Sequence, residues 1–260
     1  MSWQRALLLG SVSSLLSTAI WARTPLTICY EDVTLRPWSM PEGKGLSLDL
    51  LRSVEAKLGE SFVLVSKPWK RCQAELKVGN VDAALGMAHT AERRNFAVFP
   101  MLANGGVDRT AALFEDDFHV FALSTSALEW NGSTFHNLNG PVAVQAGYVV
   151  EGRLRAMGIT VISEDKSVQD GLRMVENGTM AAAILQGHES VLLATGNERF
   201  KRTVRRLPQP FSHEAFYLPF SRQRYANEAK RIRRIWATIA ELRKSAAYQQ
   251  KEADALKAAR

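Results

Sequence analysis

The sequence predicts an α/β protein of two lobes, each a mostly parallel sheet flanked by helices, joined by two hinge strands. Three observations lead there. Strand-like and helix-like segments alternate from residue 26 to residue 88, the order that builds a parallel sheet. A second alternating unit fills residues 141–186. Two extended segments, near 110–123 and 215–219, bracket that unit, and helical patterning follows the second of them. A chain that crosses out, builds a second unit and crosses back leaves a cleft between the units, and a cleft of that kind is where ligands bind.

Each element has its own signal. LTICYE (26–31) is a short buried strand, followed by a loop with Pro37, Pro41 and Gly43. GLSLDLLRSVEAKLG (45–59) sets Leu46, Leu50, Leu51, Val54 and Leu58 at helical spacing and closes on a glycine. SFVLVS (61–66) is the second strand, residues 72–78 are a helix ended by Gly79 and Asn80, and VDAALGM (81–87) is the third strand. TAALF (110–114) and HVFAL (119–123) are expected as two strands joined by a tight acidic turn at Glu115, Asp116 and Asp117. PVAVQAG (141–147) runs from strand into a glycine turn, then come a helix at 149–157, the strand ITVIS, a helix at 168–176 stopped by Asn177 and Gly178, and the strand MAAAIL. After the loop LPQP a strand at 215–219 leads to a helix over 222–243 and a helical tail from about Ala246.

Composition fits a globular chain: 260 residues, 46% hydrophobic, 23% charged, without repeats or low-complexity tracts. The formal charge of +7 is spread out, apart from runs at 201–206 and 230–234. Neither run has interleaved aromatics or a nucleic-acid motif, so both read as solvated helix faces and no nucleic-acid partner is expected. Residues 1–22 carry one cation, Arg5, then an apolar and serine-rich run from Ala6 to Ile20 with small residues suited to cleavage. That is a secretory signal peptide, and it places the mature chain in the periplasm. No later stretch approaches the ~18 apolar residues of a membrane span.

The residues resemble a known family. GKGLSLDLLRSVEAKLG, PWKRC and GNVDAALGMAHTAERRNFAVFP follow the pattern of bacterial periplasmic solute-binding proteins of the amino-acid-binding type, family 3, the substrate-binding domains of ABC transporters. The matching positions are the G-x-x-D-A of Gly79 and Asp82, and the T-x-E-R of Thr90, Glu92 and Arg93 with Phe99 beyond. GPVAVQAG and NGTMAAAILQ resemble the strand-and-turn motifs of the family's second lobe. The resemblance spans nearly the whole mature chain and implies residues 24–114 with 215–260 as lobe 1 and 118–211 as lobe 2, closing on a small solute by hinge motion near 110–123 and 212–220.

The resemblance also implies a site. Arg93 matches the arginine that grips a ligand carboxylate, a task suited to the fixed fork of a guanidinium. Trp69 matches a position lining the cleft, with Trp38 as a second wall or a packing residue and Arg71 as a second charge or a solvent-exposed one. Met87 and Ala88 sit where the family places small hydroxyl residues. Gly147 and Tyr148 match a turn whose backbone N–H groups hold anionic oxygen at a helix N-terminus. Gln186 stands where binders of α-amino acids carry an aspartate for the ammonium, so an ordinary amino acid is in doubt; Glu31, at the end of the first strand, is the candidate replacement. Cys29 and Cys72 are the only cysteines, on neighbouring elements, and read as a disulfide or as two buried thiols.

The expected activity is therefore non-enzymatic: a monomeric binding protein delivering a small solute to an inner-membrane permease, or the same module sensing a ligand for a membrane receptor. Catalysis would need an acid or base in the cleft, for which only Glu31 and His89 are placed. A structural role suits His89 better. The five histidines show no metal-ligand spacing, and neither a metal nor a cofactor is expected.

Overall fold

The computed structural model describes residues 24–165 and 167–258; the leader expected at 1–22 lies outside the described residues. In chain order the elements are β1 (Leu26–Glu31), α1 (Leu46–Leu58), β2 (Phe62–Lys67), α2 (Trp69–Val78), β3 (Ala83–Ala84), β4 (Met87–Ala88) and β5 (Ala97–Val98). Then come β6 (Phe114–Leu123), β7 (Glu129–Trp130), β8 (Phe135–His136), β9 (Val142–Gln145), α3 (Val149–Ala156), β10 (Val161–Asp165), α4 (Val168–Glu176) and β11 (Ala182–Gln186). The chain continues through α5 (Gly187–Gly196), α6 (Glu198–Thr203), β12 (Val204–Arg206), β13 (Ser212–Tyr217), β14 (Phe220–Ser221), α7 (Arg222–Lys244) and α8 (Ala246–Ala258).

Two main sheets form. The first has the order β2-β1-β3-β14-β5, with β1 parallel to both β2 and β3, and β14 antiparallel to β3 and β5. The second has the order β10-β9-β11-β6-β13-β4, with β12 also on β6. Its parallel part is β10, β9 and β11; β6, β13 and β4 continue it antiparallel. Helices cover both sheets. α1 turns Leu48, Leu51 and Val54 inward and ends at Gly59, whose φ of 62° is the left-handed conformation that glycine adopts without strain. α4 starts with a reciprocal cap between Ser167 and Asp170. α7 buries Ile232, Ile235, Trp236 and Ile239 along one face, and its Trp236 Nε1 donates to the Leu218 carbonyl at 2.7 Å.

Three segments differ from their sequence patterns. The expected acidic turn at 115–117 does not exist: β6 is one strand of ten residues running through it. Its side chains alternate, with Phe114, Asp116 and Phe118 buried and Glu115 and Asp117 facing outward beside His213 of β13. The expected third strand over 81–87 is divided between sheets. β3 lies in the first and β4 in the second, and Gly86, at φ 81°, makes the turn between them. The helix predicted from residue 72 starts at Trp69, directly after Pro68.

Lobe 1 is braced at two places. A disulfide joins Cys29 of β1 to Cys72 of α2, with Cα atoms 5.5 Å apart. Asp82, the aspartate of the G-x-x-D-A motif, accepts from Thr27 N at 2.7 Å and from Arg224 Nε at 2.6 Å, tying β1, the start of β3 and α7 together. Arg224 and Arg231 also grip Glu228, and Arg231 reaches the buried Glu60.

Two outcomes are expected. Reducing the disulfide, which closes a loop of 43 residues, lowers unfolding free energy by about 4 kcal/mol at most, read as a fall in the urea midpoint with dithiothreitol. Asp82→Ala leaves the Thr27 amide without its partner and takes one of two carboxylates from Arg224, costing about 1–3 kcal/mol in the same measurement.

Candidate functional site

Strand ends of the first sheet, the crossing strands and the start of α3 meet around one inner cavity. Its walls include Glu31, Trp69, Ala88, Arg93, Tyr148 and Gln186, all singled out by the sequence, together with Phe114, Phe118 and Phe216. The open space is about 20 Å³, room for about one water. The two lobes touch directly around it.

Arg93 is the central cation. It opens the short 3-10 turn at Arg93–Asn95, where its amide donates to Thr90 Oγ1 at 3.1 Å. Its guanidinium is buried, and its Nη1 donates to the Ala88 carbonyl at 2.8 Å and its Nη2 to the Gly147 carbonyl at 2.9 Å. No carboxylate among the described residues forms an ion pair with it; Glu75 instead holds Lys67 and Arg71. Burial pulls the Arg93 pKa down to about 10, opposed by the charges of Glu92 and Glu214, so the group stays charged. Arg93 also borders an outer groove of about 440 Å³ between α2 and α3, so its bond to Gly147 stands between the inner cavity and that groove.

Glu31 faces it from the end of β1. Tyr148 Oη donates to Glu31 Oε2 at 2.5 Å, and Gln145 Nε2 donates to the phenol at 3.1 Å. Gln145 Oε1 in turn receives the Gln186 amide at 3.5 Å. Burial raises the Glu31 pKa to about 8, the Tyr148 hydrogen bond offsetting part of the rise. Burial also pushes the Tyr148 phenol well above its ordinary range. Both are therefore protonated at neutral pH, and a buried neutral carboxyl costs far less than a buried carboxylate. His89 packs edge-on against Phe99 at 5.0 Å, its Nε2 buried without a hydrogen-bond partner, and burial lowers its pKa.

Trp38 and Arg71 take the packing and solvent-exposed alternatives left open by the sequence, and two further expectations need correction. Trp38 is not in the cavity wall. It stacks on Phe114 at 4.5 Å and its Nε1 donates to Asp116 Oδ2 at 2.9 Å, so it backs the wall that Phe114 presents. Arg71 points outward, since α2 begins at Trp69 and turns residue 71 to solvent beside Glu75. Met87 pairs with Tyr217 and is buried within the sheet, leaving Ala88 as the cavity residue of β4. At the 147–148 turn the carbonyl of Gly147, not an N–H, faces Arg93, and the Tyr148 amide is taken by the Gln145 carbonyl at 3.1 Å. What Tyr148 brings to the cavity is its phenol.

The sequence reading missed Phe114, Phe118 and Phe216, the floor of the cavity. The rings of Trp38, Phe114 and Phe216 form one stack, the second contact being 4.7 Å between centroids. The signal was the period-two alternation of Phe114, Asp116 and Phe118, masked by the acids between them. The disulfide fastens to β1 the helix that begins at Trp69. Among the described residues no cluster of His, Cys, Asp or Glu is disposed to hold a metal ion, and no helix is long and apolar enough to cross a membrane.

No family model and no curated protein matches the sequence. Solved structures do match. A histidine kinase sensor domain with similarity to periplasmic binding proteins aligns at 17% identity and TM-score 0.71, over 88% of this chain and 95% of that one. The GluR0 ligand-binding core from Nostoc punctiforme, in complex with L-glutamate, aligns at 18% identity and TM-score 0.66, over 87% and 96%. The substrate-binding protein of an amino acid ABC transporter aligns at 17% identity and TM-score 0.64, over 86% and 96%. The chain has the two-lobed fold of the periplasmic binding proteins.

Proposed function

We propose that the chain is an exported, non-enzymatic binding protein that captures a small carboxylate-bearing solute between its lobes for an ABC transporter. The observation that carries this reading is Arg93: a buried, charged guanidinium at the cavity wall whose partners are carbonyls rather than a carboxylate. A ligand carboxylate offers it a charge-assisted, two-pronged contact in place of the Gly147 carbonyl. Trp69 and the Phe114–Phe216 stack supply apolar walls for the rest of the ligand. Because the closed cavity holds about one water, binding proceeds through lobe opening, with residues 24–114 and 215–260 moving against 118–211.

Glu31 decides what else the ligand carries. Its neutral form suits an uncharged donor or acceptor; its ionised form requires a cation beside it, because a lone buried carboxylate is costly. Gln186 is uncharged, so Glu31 is the group that would meet a ligand amine. Sensing for a membrane receptor is the second reading, favoured by the likeness to the histidine kinase sensor domain. The fold serves both uses, so the choice rests on the partner rather than the cleft. An enzyme reading has less support: Glu31 has a shifted pKa but is held by Tyr148.

Three tests follow from this site. Thermal-shift screening of residues 23–260 against amino acids, organic acids and amines is expected to find stabilising ligands that carry a carboxylate. Arg93→Ala loses at least ~100-fold in affinity for the ligand so found, read by calorimetry; unchanged affinity removes Arg93 from the site. Glu31 also has a pH signature. Its folded pKa near 8 lies above its ordinary 4.5, so its contribution to stability is complete below pH 4.5 and is lost as pH rises through 8. The melting temperature of Glu31→Gln is therefore expected to fall less than that of the parent between pH 5 and pH 8.

A further inference from the structure

Outside the ligand cavity the lobes are joined by a second set of contacts, centred on the loop between β1 and α1. Arg36, in that loop, donates from Nε to Glu189 Oε2 at 2.7 Å and from Nη2 to Glu189 Oε1 at 3.0 Å. Glu189 lies in the first turn of α5, on the other lobe, and its side chain is only 6% exposed against 50% for Arg36. Neither residue lines the inner cavity; Arg36 borders an outer groove shared with α5 and α8.

Both partners are held on rigid supports. The Arg36 loop is pinned by a Leu35–Ser39 bridge, by bonds from the first residues of α1 to the Pro37 and Trp38 carbonyls, and by Trp38 on Phe114. On the far side, α5 starts at Gly187, where a Cβ would lie 1.9 Å from Asp116 Oδ2. The helix start is thus pressed against the hinge strand β6, and Asp116 receives Trp38 Nε1 from the Arg36 loop. A single carboxylate on the hinge therefore sits between the two elements that Arg36 and Glu189 bridge.

We propose that the Arg36–Glu189 pair is a closure latch, a cross-lobe bridge outside the ligand cavity that sets the balance between open and closed lobes without touching ligand. A two-state hinge responds to any contact made in only one state, and a two-pronged guanidinium–carboxylate bridge, formed only when the lobes meet, is such a contact. Because Arg36 is half exposed, salt weakens the latch. The proposal concerns lobe closure alone and stands or falls separately from the choice of ligand.

The test is small-angle X-ray scattering of the whole mature chain without added solute, for the parent, Arg36→Gln, Glu189→Gln and the exchanged pair R36E/E189R, each checked for folding by circular dichroism. The single variants are expected to show a larger radius of gyration than the parent in 50 mM salt, the exchanged pair to return toward the parent, and 1 M salt to expand the parent toward the single variants. If Glu189→Gln fails to fold, Arg36→Gln carries the test on a half-exposed side chain. Single variants that scatter like the parent overturn the latch. Expansion that the exchanged pair does not reverse also overturns it, since lost packing rather than a charge bridge is then the cause.

Discussion

The pairing of β6 with β13 is the constraint on which the molecule turns. Phe114–Phe118 run antiparallel to Ser212–Phe216, and this two-strand ribbon is also the floor of the cavity. Its inward side chains, Phe114, Phe118 and Phe216, are cavity wall and core at once. Aromatic stacking through Trp38 extends the floor into lobe 1, while α5 rests on the same strand from lobe 2. The hydrogen bonds of this strand pair fix the register of the floor.

Around that floor the cavity sets a fixed positive charge against an acid that switches. Arg93 remains charged despite burial, because its nearest partners are carbonyl dipoles and nearby carboxylates offset part of the desolvation. Glu31 takes the opposite course and holds its proton, with the Tyr148 phenol as donor. Among the side chains that line the cavity, Arg93 is positive and Glu31 is held neutral.

Much of the architecture was legible in the sequence because periodicity and glycine stops are local signals. The leucine spacing of α1, the Asn177-Gly178 stop of α4 and the Gly79-Asn80 stop of α2 each appear within one short segment. Arg93, Trp69 and Glu31 were legible as cavity residues because they sit at strand ends or at a motif. The hinge strand was not, since Glu115-Asp116-Asp117 has the composition of a turn and only pairing with β13 makes it a strand. Trp38 and Tyr148 show the same limit. Their positions pointed to the cleft, but which atom each presents depended on Asp116 and Glu31, residues far away in sequence.

The reinforcement of the molecule is lopsided. The disulfide and the Asp82–Arg224–Glu228–Arg231–Glu60 network all fasten lobe 1, the part containing β1, α2 and α7. No disulfide among the described residues ties β9, β10 or β11. Covalent and ionic cross-ties therefore concentrate on one side of the cavity. Local opening free energies should follow the same division, with amide protons of lobe 2 exchanging ahead of those around Cys29. Trp69 thus stands on the cross-tied side of the cavity and Tyr148 on the side without a disulfide.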